Sequence, residues 1–161
     1  MRIDFKNTGK LIAEGFYEAV VKDACYDSTS SGKECIKIEF KIRDDVEQRY
    51  IRSLAWQRIF KPRDPTLQDQ MCEGYRAASI NILSRAAGFE DGAEFESIAD
   101  WMRALIGRPV RIEIVHNEYN GKTYANIGKL ERTAYPVVEN TMEQVYDMKG
   151  VSVLEDEELP F

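Results

Sequence analysis

The sequence predicts a mainly β fold of five strands with a helical insertion between the third and fourth strands. Apolar and charged residues alternate from Ile36 to Arg43, which is the period of a half-buried strand. A helical period replaces this alternation between residues 65 and 106, and the period of two returns over residues 110–115. The chain therefore divides into a β region, a helical region and a β hairpin.

Three strands are predicted before the helices. The first begins at Gly15, because the following residues alternate between an apolar and a more polar side. The polar residues 27–33 then form the hairpin loop that leads to the second strand. The third is predicted over residues 49–60, where arginines mix with Tyr50 and Trp56. The second is the clearest, and its buried face is predicted to hold Ile36, Ile38, Phe40 and Ile42.

Two helices are predicted in the insertion. Asp64 and Pro65 favour a helix start, and Gly88 favours its end. A second, short helix fits residues 97–106 and buries Trp101. The apolar stripe expected on the first helix consists of Leu67, Met71, Tyr75, Ala78 and Ile82.

An Asn-Gly pair at residues 120–121 predicts the turn of the last hairpin, and its return strand is expected from Tyr124. Three strands, a helical insertion and a two-stranded hairpin are the element order of a five-stranded OB-type barrel. We assign this barrel to residues 1–138 and an acidic linker and tail to residues 139–161.

The net charge of −6 is concentrated in the tail. Residues 139–161 hold seven acids and one base, whereas the other 138 residues hold 21 of each. The barrel can therefore present a cationic face although the whole chain is acidic. No apolar run approaches the roughly 18 residues needed to cross a bilayer, and the first residues do not resemble a secretory signal. We expect an intracellular protein that does not enter membranes.

An OB barrel binds oligonucleotides across its second and third strands and its long hairpin loops. Here those segments carry cations for phosphates and aromatic rings for stacking on bases. Each residue alone also fits an ordinary surface or core position, so the prediction depends on the set. The candidate DNA-binding residues are Lys33, Lys37, Lys41, Arg43, Tyr50, Arg52, Trp56, Arg58, Phe60, Tyr119, Lys122 and Tyr124.

Two other classes of function remain open. His116 is a candidate general base, and Asp44, Asp45 and Glu47 are candidate Mg²⁺ ligands of a nuclease, although these acids also suit a turn. An OB-type protein-interaction adaptor is the third class. The cysteines lack a Cys-x-x-Cys pair and the chain lacks a phosphate-binding Gly-Lys-Ser/Thr motif, so we expect no metal, no cofactor and no ATPase activity.

Three segments carry a family resemblance. They are Ile42-Arg43-Asp44-Asp45-Val46, the segment from Tyr119 to Ile127, and the acidic residues 155–158 followed by Leu-Pro-Phe. With these, the chain resembles the OB-fold single-stranded DNA-binding proteins encoded by tailed bacteriophages. Its helical region is longer than the single short helix of the bacterial housekeeping form, so the tetramer of that form is not carried over.

The resemblance implies a non-enzymatic protein that coats single-stranded DNA with little sequence specificity during phage replication, recombination and repair. It further implies a location in the cytoplasm of an infected bacterial cell, and either a homo-oligomer or a cooperative array on the DNA. An acidic run alone is also typical of solubilising tails. The residues that the resemblance assigns to recruiting replication and repair proteins are Glu155, Asp156, Glu157, Glu158, Leu159, Pro160 and Phe161.

Overall fold

The fold is a five-stranded antiparallel sheet with three helices between its third and fourth strands. It is seen in a computed structural model that describes Met1 and residues 11–138. The strands are β1 (Gly15–Ser28), β2 (Glu34–Ile42), β3 (Leu54–Phe60), β4 (Pro109–Tyr119) and β5 (Lys122–Glu131), and the helices are α1 (Leu67–Met71), α2 (Ala77–Ala86) and α3 (Ile98–Leu105). The predicted mainly β fold with a helical insertion is confirmed.

The strands lie in the order β3-β2-β1-β4-β5. The two edge strands, β3 and β5, approach each other, but no hydrogen-bonded ladder joins them within the described residues. The sheet is therefore open along this line, and the closed barrel expected from the element order is not formed.

β1 is long because it belongs to both halves of the sheet. Its residues 15–20 pair with β4, and its residues 19–28 pair with β2. The β1–β2 register shifts between Val21 and Asp23, which leaves Lys22 as an extra residue in a bulge. A bulge bends its strand and increases its twist, so β1 can turn from one half of the sheet to the other.

The core lies on one side of this sheet. Ile36, Ile38, Phe40 and Ile42 are fully buried, as their alternation predicts. Val110, Ile112 and Ile114 of β4 belong to the same buried cluster, together with apolar side chains of α2 and α3. The opposite side of β2 is only partly covered: Cys35 is buried there, but Lys37, Glu39 and Lys41 are partly in contact with solvent.

The single long helix predicted from residue 65 is wrong. Thr66, rather than Asp64, caps α1, and the chain breaks after Met71, where Glu73 and Gly74 both have positive φ values, 57° and 89°. The break shifts the buried face of the next helix. Of the expected stripe Leu67, Met71, Tyr75, Ala78 and Ile82, only Tyr75 is buried, while Ile80 and Leu83 are buried instead.

Asp69 holds the two short helices together. Its Oδ2 accepts a hydrogen bond from Thr66 N at 3.0 Å, and its Oδ1 accepts one from Ala77 N, at the start of α2, at 2.8 Å. These backbone donors, Ala77 first, hold the pKa of Asp69 below its ordinary value. One carboxylate thus satisfies donors at the beginnings of both helices.

The second predicted helix is confirmed as α3. Ser97 caps it by accepting a hydrogen bond from Asp100 N at 3.1 Å. Trp101 is buried, as predicted, and its Nε1 donates to Ser84 Oγ on α2 at 2.8 Å. This bond satisfies the indole N–H inside the core.

The third strand is shorter than predicted. It begins at Leu54 rather than Arg49, because the chain between β2 and β3 turns at Tyr50 and Arg52, whose φ values are 59° and 68°. The last hairpin has the predicted turn, with φ values of 51° at Asn120 and 77° at Gly121. Its return strand starts at Lys122, two residues earlier than expected.

Arg43 anchors the chain that follows β5. The residue is only 3% exposed, and its guanidinium forms two bonds to the carboxylate of Asp45, both at 2.8 Å. The remaining donors reach Thr133 Oγ1, the Tyr135 carbonyl and the Val137 carbonyl at 3.3, 2.6 and 3.0 Å. All five N–H groups of Arg43 are therefore satisfied within the protein.

A buried carboxylate completes this anchor. Glu18 accepts a hydrogen bond from the hydroxyl of Thr133, and its backbone N–H and C=O both bond to the side-chain amide of Gln48 at 2.9 Å. Residues 133–137, which we call the strap, are thus tied to β1 and to the end of β2 by side chains from both.

We expect Arg43→Ala to lower the free energy of unfolding by about 3–5 kcal/mol, because it leaves Asp45 without its buried counter-ion and frees two carbonyls. Urea unfolding followed by circular dichroism measures the change. Arg103→Ala is the control, since Arg103 pairs with Asp100 at the surface, with 71% of its side chain exposed. It should cost no more than about 0.5 kcal/mol. Equal stabilities of the two variants would contradict the anchoring role of Arg43.

Candidate nucleic-acid interface

The side of β1, β2 and β3 that faces away from the core, which we call the outer face, brings together charged and aromatic side chains from distant parts of the chain. Antiparallel pairing places residues of the three strands in rows, with the residue of β2 in the middle. Three consecutive rows are Cys25–Lys37–Arg58, Asp23–Glu39–Trp56 and Val20–Lys41–Leu54.

Trp56 is the most prominent residue of the outer face. Its side chain is 46% exposed although it lies in the middle of a strand. Its Nε1 donates to Glu39 Oε2 at 2.8 Å, and Lys37 Nζ lies 5.5 Å from the centre of its ring. The indole is therefore fixed in position while much of its apolar surface remains in water, as a stacking platform requires.

A second ring lies along the same strand. Phe60 is half-buried, and Lys33, from the loop between β1 and β2, places its Nζ 4.7 Å from the ring centre. Arg58, between the two rings, lies 3.6 Å from Asp27 of β1. The outer face thus continues from Trp56 to the β1–β2 loop.

The outer face has more cations than anions. Lys22, extruded by the bulge in β1, contributes a cation 3.7 Å from Glu39. Together with the loop residue Lys33, the cations are Lys22, Lys33, Lys37, Lys41 and Arg58, and the anions are Asp23, Asp27 and Glu39. The excess is modest, so local placement of each charge matters more than the sum.

The β4–β5 hairpin presents the other aromatic candidates. Tyr119 is 68% exposed and Tyr124 is 44% exposed, on either side of the Asn-Gly turn, and Lys122 is exposed beside them. A hydrogen bond of 2.9 Å between the side chains of Asn117 and Asn126 joins the two strands below the turn. The predicted residues of this hairpin are therefore accessible to a ligand.

The DUF669 family profile matches residues 4–139, most of the chain. The chain belongs to this family. Its members are described as proteins of unknown function. No curated protein matches the sequence.

Besides the residues of the β4–β5 hairpin, three predicted DNA-binding residues of this DUF669 protein lie away from the outer-face rows. Arg43 is buried with every donor engaged, so it cannot take a phosphate in this conformation and we remove it from the set. Tyr50 packs edge-on against Tyr17 at 5.9 Å between ring centres. Arg52 lies in the β2–β3 connection, where it pairs with Asp44 at 3.1 Å.

One exposed pair of this family member is absent from the residues predicted from the sequence. Arg111 of β4 lies 5.0 Å from the centre of the Phe16 ring on β1, and Phe16 is 40% exposed. The alternation of β1 places Phe16 opposite the buried Tyr17, and that pattern could have identified it. The pair lies where β1 joins β4, away from the β2 and β3 rows.

Two of the three acids proposed for an enzyme, and the histidine, have structural partners. Asp44 and Asp45 pair with Arg52 and Arg43, and the described part of the chain contains no group of three or more residues suited to holding a metal ion. The ring Nε2 of His116 lies 2.7 Å from the carbonyl of Ile12, and its backbone N–H donates to Glu14 at 2.8 Å. His116 thus fastens the segment before β1 to β4.

A cavity of about 680 Å³ opens beside the helices of the DUF669 domain. Phe89, Phe95 and Trp101 line it together with acids of the connection between α2 and α3.

In residues 11–138 no helix is long and apolar enough to cross a membrane. The predicted partner-binding segment, residues 155–161, lies outside the described residues.

We expect Trp56→Ala to weaken binding of a single-stranded oligonucleotide by about 1–3 kcal/mol, the scale of one base–aromatic stack. Because the ring is half in solvent, the fold should survive, which circular dichroism and urea unfolding would show. Fluorescence anisotropy of a labelled oligonucleotide measures the affinity. Phe95→Ala, at an exposed ring on the helical side, should leave affinity unchanged. A variant at Trp56 that binds normally would exclude this ring from the interface.

Proposed function

We propose that this protein binds and coats single-stranded DNA with little sequence specificity, in the replication and recombination of a bacteriophage, in the cytoplasm of the host. The observation that carries the proposal is the exposed Trp56, fixed by Glu39 beside Lys37 on a strand of the outer face. The phage context is taken from the resemblance of the sequence to the single-stranded DNA-binding proteins of tailed bacteriophages.

The binding mode combines stacking with phosphate contacts. A base stacked on Trp56 leaves its phosphates within reach of Lys37 and Arg58, which are neighbours across β2 and β3. Every base offers a π-face, so such a site tolerates any sequence. A duplex keeps its bases stacked inside and cannot offer them to the indole, and this favours single strands.

The finer fold assignment in this proposal is an OB-type barrel that is incompletely closed. The strand order β3-β2-β1-β4-β5, with β3 approaching β5 and helices between β3 and β4, agrees with that topology. In OB folds the second and third strands and the two hairpin loops form the oligonucleotide site. Trp56 and Phe60 of β3 and Lys33 of the β1–β2 loop occupy those elements here, and Tyr119 is the last residue of β4 before the second hairpin turn.

A protein-interaction adaptor is the second candidate, and the cavity beside the helices favours it. Leu67 and Met71 of α1 are 76% and 85% exposed, and Met71 also lines the cavity. Exposed apolar side chains next to a concave surface are typical of protein-binding sites. This function requires no nucleic acid, so the two candidates are separated by one binding measurement.

The deciding experiment is a titration with a homopolymer single strand and with a matched duplex at several salt concentrations. We expect tight binding to the single strand only. Replacing Lys37 and Arg58 together by Ala should flatten the slope of log K against log salt by about 0.7 for each phosphate that the variant no longer neutralises. The control variant replaces Arg85 and Arg103, two exposed arginines on α2 and α3, by Ala. An adaptor would bind neither DNA, and a nuclease would shorten the single strand when Mg²⁺ is added.

We further propose that residues 155–161 recruit replication or repair proteins. The motif places four acids directly before Leu159, Pro160 and Phe161. Acids steer a segment towards a cationic pocket, and the apolar side chains supply contact area once it is bound. The same acids are attracted to the cationic outer face, where they compete with DNA at low salt.

Deleting residues 155–161 should leave the fold intact, leave DNA affinity unchanged or raise it at low salt, and abolish binding of a purified phage or host replication partner. Phe161→Ala should weaken binding of the partner but not of DNA, because it removes an apolar side chain but no side-chain charge. Surface plasmon resonance with each variant measures both affinities. Weaker DNA binding after the deletion, or full partner binding without these residues, would refute the proposed role.

A further inference from the structure

A carboxylate occupies the centre of the outer face, where a DNA-binding surface would be expected to carry a cation. Glu39 lies in the middle strand of the three, directly between Asp23 and Trp56. On its own strand it is flanked on the same side by Lys37 and Lys41. Phosphates are repelled by the centre of this surface and attracted by its surroundings.

Glu39 is held firmly in this place. Its Oε2 accepts the hydrogen bond from Trp56 Nε1, its Oε1 lies 3.7 Å from Lys22 Nζ, and only 20% of its side chain is exposed. The carboxylate therefore cannot swing away from an approaching phosphate without giving up both partners. Asp23, which is exposed on β1 and paired with Glu39, adds a second negative charge to the same row.

The two forms of DNA meet this charge pattern differently. A single strand can turn a base onto the Trp56 ring and leave its phosphates near Lys37 and Arg58, so that no phosphate lies over Glu39. A duplex presents phosphates on its whole surface and keeps its bases inside. Lying against the outer face, it must bring phosphates close to Glu39 and Asp23, at an electrostatic cost.

We infer that Glu39 is the residue by which the outer face discriminates single-stranded from duplex DNA, through its negative charge. This inference rests on the proposed function and adds the means by which duplex is rejected. It makes the charge, and not the hydrogen bond to Trp56, the determinant of the discrimination.

Two substitutions separate the charge of Glu39 from its hydrogen bond. Glu39→Gln keeps a carbonyl oxygen for Trp56 Nε1 and removes the charge. Glu39→Asp keeps the charge but is one methylene shorter, so it withdraws from the indole. Trp fluorescence of the free variants reports the indole environment, and urea unfolding establishes that both are folded.

The measurement is the ratio of duplex Kd to single-strand Kd, taken with a dT homopolymer and a matched duplex of equal length at constant salt. Glu39→Gln should lower this ratio about tenfold, mainly through tighter duplex binding, as expected when one repelling charge is removed from a partly desolvated contact. Glu39→Asp should retain most of the ratio. Glu94→Gln, which removes the same charge from the connection between α2 and α3, should leave it unchanged.

The outcomes are distinct. If the wild-type protein prefers single strands and Glu39→Gln keeps the same ratio, the proposed function stands and the inference is wrong. If Glu39→Asp, which keeps the charge, lowers the ratio as much as Glu39→Gln, the charge is not the determinant of the discrimination and the inference is again wrong. A wild-type protein without preference for single strands would overturn both the proposed function and the inference.

Discussion

The register between β1 and β2 is the constraint on which the rest of the structure depends. It pairs Phe40 with Val21 and, across the bulge, Glu39 with Asp23. A slip of one residue would turn the fully buried isoleucines of β2 towards water and its charged residues into the core, at a prohibitive cost. The same register creates the rows of the outer face, so the core and the candidate interface are determined together.

Strict alternation made β2 predictable, because one buried face and one wet face leave a period of two in the sequence. The Asn-Gly turn and α3 were predictable for similarly local reasons. The break between α1 and α2 was not, because Glu73 adopts a left-handed conformation that its residue type does not favour, and Asp69 offsets this by capping both helices. The shortened β3 has the same origin, in the positive φ values of Tyr50 and Arg52.

The candidate site was predictable only where the period of a strand decides which side a residue faces. Lys37 was found in this way, whereas Trp56 and Arg58 were chosen because the predicted third strand mixes arginines with aromatic residues. Their cross-strand neighbours Asp23 and Glu39 require the register, which a sequence does not state. Arg43 continues the alternation of Lys37 and Lys41 and looks identical to them locally. Its burial is determined by Thr133 and Tyr135, about 90 residues away.

The long sequence separation between Arg43 and its acceptors in the strap also bears on the order of folding. Arg43 is synthesised long before the carbonyls of Tyr135 and Val137 that satisfy it, and interactions between distant residues form only after the intervening chain has been closed into a loop. On the ribosome, β1 and β2 can pair early while this guanidinium is still hydrated. We therefore expect docking of the strap to be a late step. A chain that ends before residue 137 would lack part of the set of acceptors that satisfies Arg43 in the folded protein.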